Sequence, residues 1–207
     1  MIVDTLDRTE YRKFLKSTVL KAQKCQRNWD LSKKIPKEDL DVIVYAATQA
    51  PSKQNLDFYS LLVIQNREIQ EKIYENTWTI PNSPIGRLNP QVLANVLLVF
   101  VSKKHSTNRN EDTRKQNLLQ IEIDRNQAVG VSAGFVNVVA QSLGYSTGCN
   151  KCCDKAKVKE ILNIDQDPIL MMGVGFKNES RNRREEHFEG FMVESRSKLP
   201  ISIEYID

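Results

Sequence analysis

Apolar positions recur at helical spacing from Arg8 to Lys24, where Tyr11, Phe14, Leu15, Val19 and Ala22 share one side. A loop with Arg27, Trp29 and Asp30 follows. Pro36 suits the first turn of a second helix, with Glu38 and Asp39 beside its positive end. Leu40, Ile43, Val44 and Ala47 continue that helix, which has to stop before Pro51. Phe58 to Gln65 reads as a buried strand and Arg67 to Glu75 as a short helix. Residues 76–90 carry three prolines, Trp78 and Gly86, and are expected to form an irregular, lid-like segment.

Val92 to Val101 is the second strand, its apolar run broken by Asn95, and Lys103 to Lys115 is polar and exposed. The longest helical pattern runs from Asn117 to Leu143. It places Ile121, Arg125, Ala128, Ser132, Val136, Val139 and Leu143 on one face, with Gly144 as its stop. Gly130 and Gly134 interrupt it at a cost of about 1 kcal/mol each relative to alanine. A close helix crossing explains them; so does a flat cofactor or a partner's helix against the backbone. Lys155 to Leu162 is a short helix, and Pro168 to Phe176 a strand buried on both faces. Ile201 to Ile206 alternates apolar and charged residues as a terminal strand does. No steady βαβ rhythm emerges, so the class is α+β.

The 207 residues suffice for one domain with a full core, spanning 1–207. A net charge of +4 permits an anionic ligand without demanding nucleic acid. The run from Val92 to Val101 is too short to cross a bilayer, and residues 1–10 lack the apolar core of a signal peptide. Cys25, Cys149, Cys152 and Cys153 therefore read as free thiols in a reducing, cytoplasmic setting. Its neighbour Lys151 marks Cys152 as oxidation-sensitive.

Several chemistries fall away. Gly173-Val174-Gly175 has no third glycine opening a helix, so any NAD(P)H is a transient co-substrate and not a resident dinucleotide. There is no G-x-S-x-G, and His105 and His187 sit in charged, solvated surroundings. The single C-x-x-C, Cys149 to Cys152, lacks the second ligand pair of a structural zinc site, so no metal is expected. The basic run of Lys103, Lys104, His105, Arg109, Arg114 and Lys115 has no interleaved aromatics for stacking bases. Arg181, Arg183 and Arg184 follow a strand and can fork onto phosphate, unless Glu185 and Glu186 merely neutralise them. Upstream, Lys24-Cys25-Gln26-Arg27 is a second candidate phosphate holder. The turn Ala50-Pro51-Ser52-Lys53-Gln54-Asn55 offers polar groups to a planar ligand. Together these point to an FMN site.

Taken in chain order, these anchors resemble the nitroreductase family of FMN-dependent oxidoreductases. Lys24-Cys25-Gln26-Arg27-Asn28-Trp29 stands in the place of the family's R-S-x-R-x-F. Ala50, Pro51, Ser52 and Asn55 match A-P-S-x-x-N. Ser142-Leu143-Gly144 ends the long helix as S-L-G does, and Gly173 to Arg184 fits the closing strand and basic run. The resemblance implies an α+β three-layer sandwich, a mostly antiparallel sheet flanked by helices, built as an intertwined homodimer with FMN at the interface. Independently, the terminal strand pattern at Ile201 to Ile206, after a long polar stretch, suits 195–207 to a C-terminal extension that pairs with the partner subunit. Lys24, Cys25, Arg27, Arg181 and Arg183 would hold the phosphate side, with Arg27 also stabilising charge on the ring. Pro51, Ser52 and Asn55, from either subunit, would line the flavin, and the backbone around Cys149, Lys151 and Cys152 would face its reactive edge.

The implied activity is ping-pong reduction of a small-molecule acceptor, a nitroaromatic or quinone, by NAD(P)H. The flavin itself carries the chemistry and no catalytic acid or base is needed. Tyr145, Phe191, Trp78 or Tyr74 would cover the ring. The departures are Cys25 for serine, Lys24 for arginine, Leu56-Asp57-Phe58-Tyr59 for S-Q-P-W, and Lys151 for an acidic residue of some members. They leave room for a same-fold dehalogenase or flavin-fragmenting enzyme, or for a non-enzymatic flavin-binding protein.

Overall fold

The computed structural model describes residues 7–78, 88–103, 118–183 and 198–206. Among them run helices α1 (Arg8–Ala22), α2 (Lys37–Thr48), α3 (Arg67–Glu75), α4 (Leu118–Ser142) and α5 (Lys155–Leu162). Strands β1 (Tyr59–Ile64), β2 (Val96–Ser102), β3 (Ser146–Asn150) and β4 (Pro168–Gly175) form one sheet in the order β1-β2-β4-β3. Every pairing is antiparallel, and a register shift interrupts β2 between Phe100 and Val101.

The layers follow from alternation along β2. Val96, Leu98 and Phe100 point into a core shared with Ile43 and Ala47 of α2 and Val129, Val136 and Ala140 of α4. Leu97, Val99 and Val101 point the other way, to Ile73 of α3 and Val158 of α5. A strand with successive side chains on opposite faces needs a helical layer on each side when both sets are apolar. The α+β sandwich follows.

Local chemistry sets the element ends. Asp7, Asn66 and Asp154 accept backbone N–H groups at the starts of α1, α3 and α5. Gly144, at φ 90°, turns the chain out of α4 into β3.

Four expectations change. Residues 90–93 form a 3-10 turn, so the second strand starts at Val96. The strand Ser146–Asn150 went unforeseen, because its short polar run carries no apolar alternation. Ile201 to Ile206 forms no strand within its own chain and stands exposed, Ile201 at 73% and Tyr205 at 87%. A Cβ on Gly130 or Gly134 would meet nothing within 4 Å, so no close crossing among the described residues explains them.

The lid-like segment 76–90 lies outside the described residues from 79 to 87, as do the basic run from Lys104, Arg184, His187 and Phe191. No described helix is long and apolar enough to cross a membrane.

Candidate functional site

The early basic segment lies along β3, on the edge that β4 leaves open. The Gln26 amide donates to the Thr147 carbonyl at 2.8 Å. The Gln26 side chain is buried, and its Oε1 accepts the backbone N–H groups of Arg27 at 2.9 Å and Asn28 at 3.1 Å. One amide side chain thus satisfies two donors and curls the segment. Gly148 makes room for it, since a Cβ there would sit 2.3 Å from the Gln26 carbonyl oxygen.

The late segment is tied to the early one. Asp30 N–H donates to Phe176 O at 2.9 Å, Asn178 N–H to Asn28 O at 3.0 Å, and Asn28 Nδ2 to Asn182 O at 2.7 Å. Trp29 and Lys177 form an isolated antiparallel bridge. At the far end Arg183 Nη1 donates to Cys25 O at 3.3 Å. Lys24 is exposed, while Cys25, Arg27, Arg181 and Arg183 are half-buried. Cations separated by more than 150 positions therefore share one region at the β3 edge.

The loop after β3 completes this region. Cys25 Sγ lies 3.9 Å from Cys149 O. Asn150 grips Cys152 from both sides: its Oδ1 accepts Cys152 N–H at 3.0 Å and its Nδ2 donates to Cys152 O at 3.2 Å. Trp78 N–H also donates to Cys152 O, at 3.2 Å, and Thr77 bridges Cys153. Lys151 and Cys152 remain exposed. Burial, reinforced by neighbouring Cys25, pushes the Cys149 thiol up to about 12. Burial pushes Cys153 up to about 11. Both are thiols at neutral pH and so poor nucleophiles.

Pro51, Ser52 and Asn55 are elsewhere. Their turn precedes β1, at the opposite edge of the sheet. Ser52 Oγ donates to Leu56 O at 2.7 Å, and Pro51, Ser52, Asn55, Thr48 and Tyr59 line a cavity of about 770 Å³. Thr147 aligns through Val174 with Val96, whereas Tyr59 aligns with Ser102. Three strand spacings and six residues of rise put the two groups on the order of 25 Å apart.

Of the ring-covering aromatics, Tyr145 is a core residue. It is buried, packs edge-on against Phe176 with centroids 5.0 Å apart, and donates to Asp39 Oδ2 at 2.5 Å. Tyr74 packs against the α3–α5 core, and half-buried Trp78 stays beside the Cys152 loop.

Sequence reasoning missed three organising amides: Gln26, Asn28 and Asn95. Asn95 Nδ2 donates to Asp30 O at 2.9 Å and Lys33 O at 2.8 Å, and its Oδ1 accepts Phe176 N–H at 3.0 Å. Its signal was available: one amide in an otherwise apolar run needs partners.

The model of the Nitroreductase family matches residues 20–176, most of the chain. A Bacillus subtilis (strain 168) protein named as an NAD(P)H nitroreductase, YdgI, is 23% identical over 180 residues, covering 76% of this chain and 86% of its own. A Staphylococcus epidermidis structure named as an NAD(P)H:FMN oxidoreductase superposes with a TM-score of 0.67 at 20% identity, over 89% of this chain and 91% of its own. One from Exiguobacterium sibiricum, named as a nitroreductase and solved in complex with FMN, gives 0.62 at 17%, over 80% and 90%. The structural likenesses carry the fold and the family match carries the membership: this chain belongs to the nitroreductase family.

Proposed function

We propose that this protein is an FMN-dependent NAD(P)H oxidoreductase acting as a homodimer. The observation that carries the reading is the convergence of the early and late cations, fastened by the Arg183–Cys25 hydrogen bond. Their donor set fits a phosphate monoester. Guanidinium forks offer several N–H groups in one plane, and Arg183 spends one on Cys25 O. Half-burial strengthens each charged hydrogen bond relative to bulk water.

Lys24, Arg27, Arg181 and Arg183 hold the phosphate side in this proposal, and Arg27 also faces charge accumulating on the ring. The backbone from Cys149 to Cys152, fixed by Asn150 and Trp78, lines the reactive edge. When bound, FMN takes up reducing equivalents from NAD(P)H and passes them to a second small molecule, a nitroaromatic or quinone, in ping-pong order. The chain's part is to bind, orient and exclude water.

Pro51, Ser52 and Asn55 lie too far from Arg27 to touch the same ring within one chain. In the proposed dimer they come from the second copy. The uncovered apolar surface supports this. On α1, Phe14 is 48% and Val19 58% exposed, although their spacing marks a buried face. On α4, Phe135 is 46% exposed beside the open backbone of Gly130 and Gly134. Among the described residues β1 has an unpaired outer edge, and the alternating Ile201–Ile206 segment suits it as an added strand from the partner.

Anaerobic titration of the FMN-loaded protein tests the activity. NADH or NADPH should bleach the flavin, and a quinone or nitroarene should restore its colour. Bound flavin that neither nucleotide bleaches would contradict the reading.

A further inference from the structure

The turn that presents Asn55 holds two consecutive non-glycine residues in the left-handed region, Gln54 at φ 56° and Asn55 at φ 54°. Asparagine tolerates that region; glutamine, with its longer side chain, is ill suited to it. Such strain persists only where surrounding contacts over-determine it, and it concentrates at ligand clamps. The turn's own hydrogen bonds include Asn55 N–H to Ser52 O and Leu56 N–H to Lys53 O, each 3.1 Å, and Ser52 Oγ to Leu56 O.

An ion pair ties the turn to α4. Lys53 Nζ meets Asp124 Oδ2 of α4 at 2.6 Å, and Gln120 Nε2 donates to the other carboxylate oxygen at 2.8 Å. The Asp124 side chain is only 4% exposed. A carboxylate so enclosed needs its cation, and the cation comes from the residue directly before the strained pair.

We infer that Lys53 and Asp124 are positioning residues. Their ion pair anchors the turn to α4 and holds Gln54 and Asn55 left-handed, so that the Asn55 side chain faces the flavin bound with a second copy. The inference rests on the proposed FMN site for its purpose, but not for its mechanics. Glycine at 54 removes the strain the pair opposes, so a protein with Gln54→Gly depends less on the anchor.

The experiment compares Lys53→Met, Asp124→Asn and the double variant Lys53→Met/Gln54→Gly with the unaltered chain, by backbone NMR without flavin and by FMN titration. Both single variants should lose the left-handed shifts of Asn55 and bind FMN about tenfold more weakly, a loss of about 1.4 kcal/mol. The double variant should recover both. Left-handed shifts that survive Lys53→Met would overturn the anchor. A lost turn with unchanged FMN affinity would overturn the positioning role alone. An unaltered protein that takes up no FMN would overturn that role together with the proposed function, while the NMR result still reads the anchor.

Discussion

Arg183 donates a guanidinium N–H to the main-chain carbonyl of Cys25 at 3.3 Å, across 158 positions of sequence. A half-buried arginine held by a backbone group is pre-organised, so little side-chain entropy remains to be lost when an anion arrives. Replacing Arg27 or Arg183 by alanine should weaken FMN binding by about 1.5–3 kcal/mol, the worth of a hydrogen bond to a charged group. Riboflavin, which lacks the phosphate, separates the roles. Arg183→Ala should leave riboflavin affinity unchanged and lower FMN affinity. Equal losses for both ligands would remove Arg183 from the phosphate side.

Gly148 is the second point of leverage. A methyl group there would sit 2.3 Å from the Gln26 carbonyl oxygen and 3.1 Å from Gln91 Cγ, so the early basic segment has to shift. Gly148→Ala should destabilise the fold by about 1–3 kcal/mol, as overpacking does, and should weaken FMN binding as Arg27 is displaced. Urea unfolding and FMN titration measure the two effects. Gly130→Ala on α4 behaves differently. Nothing among the described residues opposes the new methyl, so a monomer would gain about 1 kcal/mol of helix propensity. In the proposed dimer the same change should loosen association, which sedimentation reads.

The thiols should separate by reactivity. Cys152 is exposed, whereas Cys149 and Cys153 are protonated by burial. Since the thiolate is the attacking form, iodoacetamide at neutral pH should label Cys152 in the folded protein and reach Cys149 and Cys153 only on unfolding. Peptide mass spectrometry over a time course checks the order, and early labelling of Cys149 would contradict the packing of β3.

Tyr145 predicts an alkaline limit. Burial, then its hydrogen bond to Asp39, raises the phenol from 10.0 to about 12 in the folded state. The folded chain therefore keeps a proton that the unfolded chain releases. This contribution is complete below pH 10.0 and is lost as pH rises through about 12. Tyr145→Phe should flatten that part of the decline in urea midpoints. An unchanged slope would mean that the phenol is not held by the fold.

How much of this the chain announced depends on where each signal resides. The long helix, the flanking strands β1, β2 and β4 and the α+β class were legible because each rests on a local apolar period. β3 was not, since Ser146–Asn150 owes its place to pairing with β4 and to Thr147 bonding Asn137, which are contacts across the fold. The face of α1 was legible as apolar but lies uncovered within the chain. Its period records a surface to bury, without saying whose chain buries it. The cation groups were legible as residue types. Their meeting was not, because it depends on Gln26, Asn28 and Asn95, buried amides whose partners only the fold supplies. The separation of Ser52 and Asn55 from Arg27 was equally hidden, because it follows from strand order.

The central claim is that these converging cations and this fold hold FMN. The visible absorption spectrum of the purified protein, taken before and after incubation with FMN and removal of the excess, tests it most directly. The account predicts a yellow protein with about one flavin per chain after reconstitution. A colourless protein that retains no FMN would contradict it.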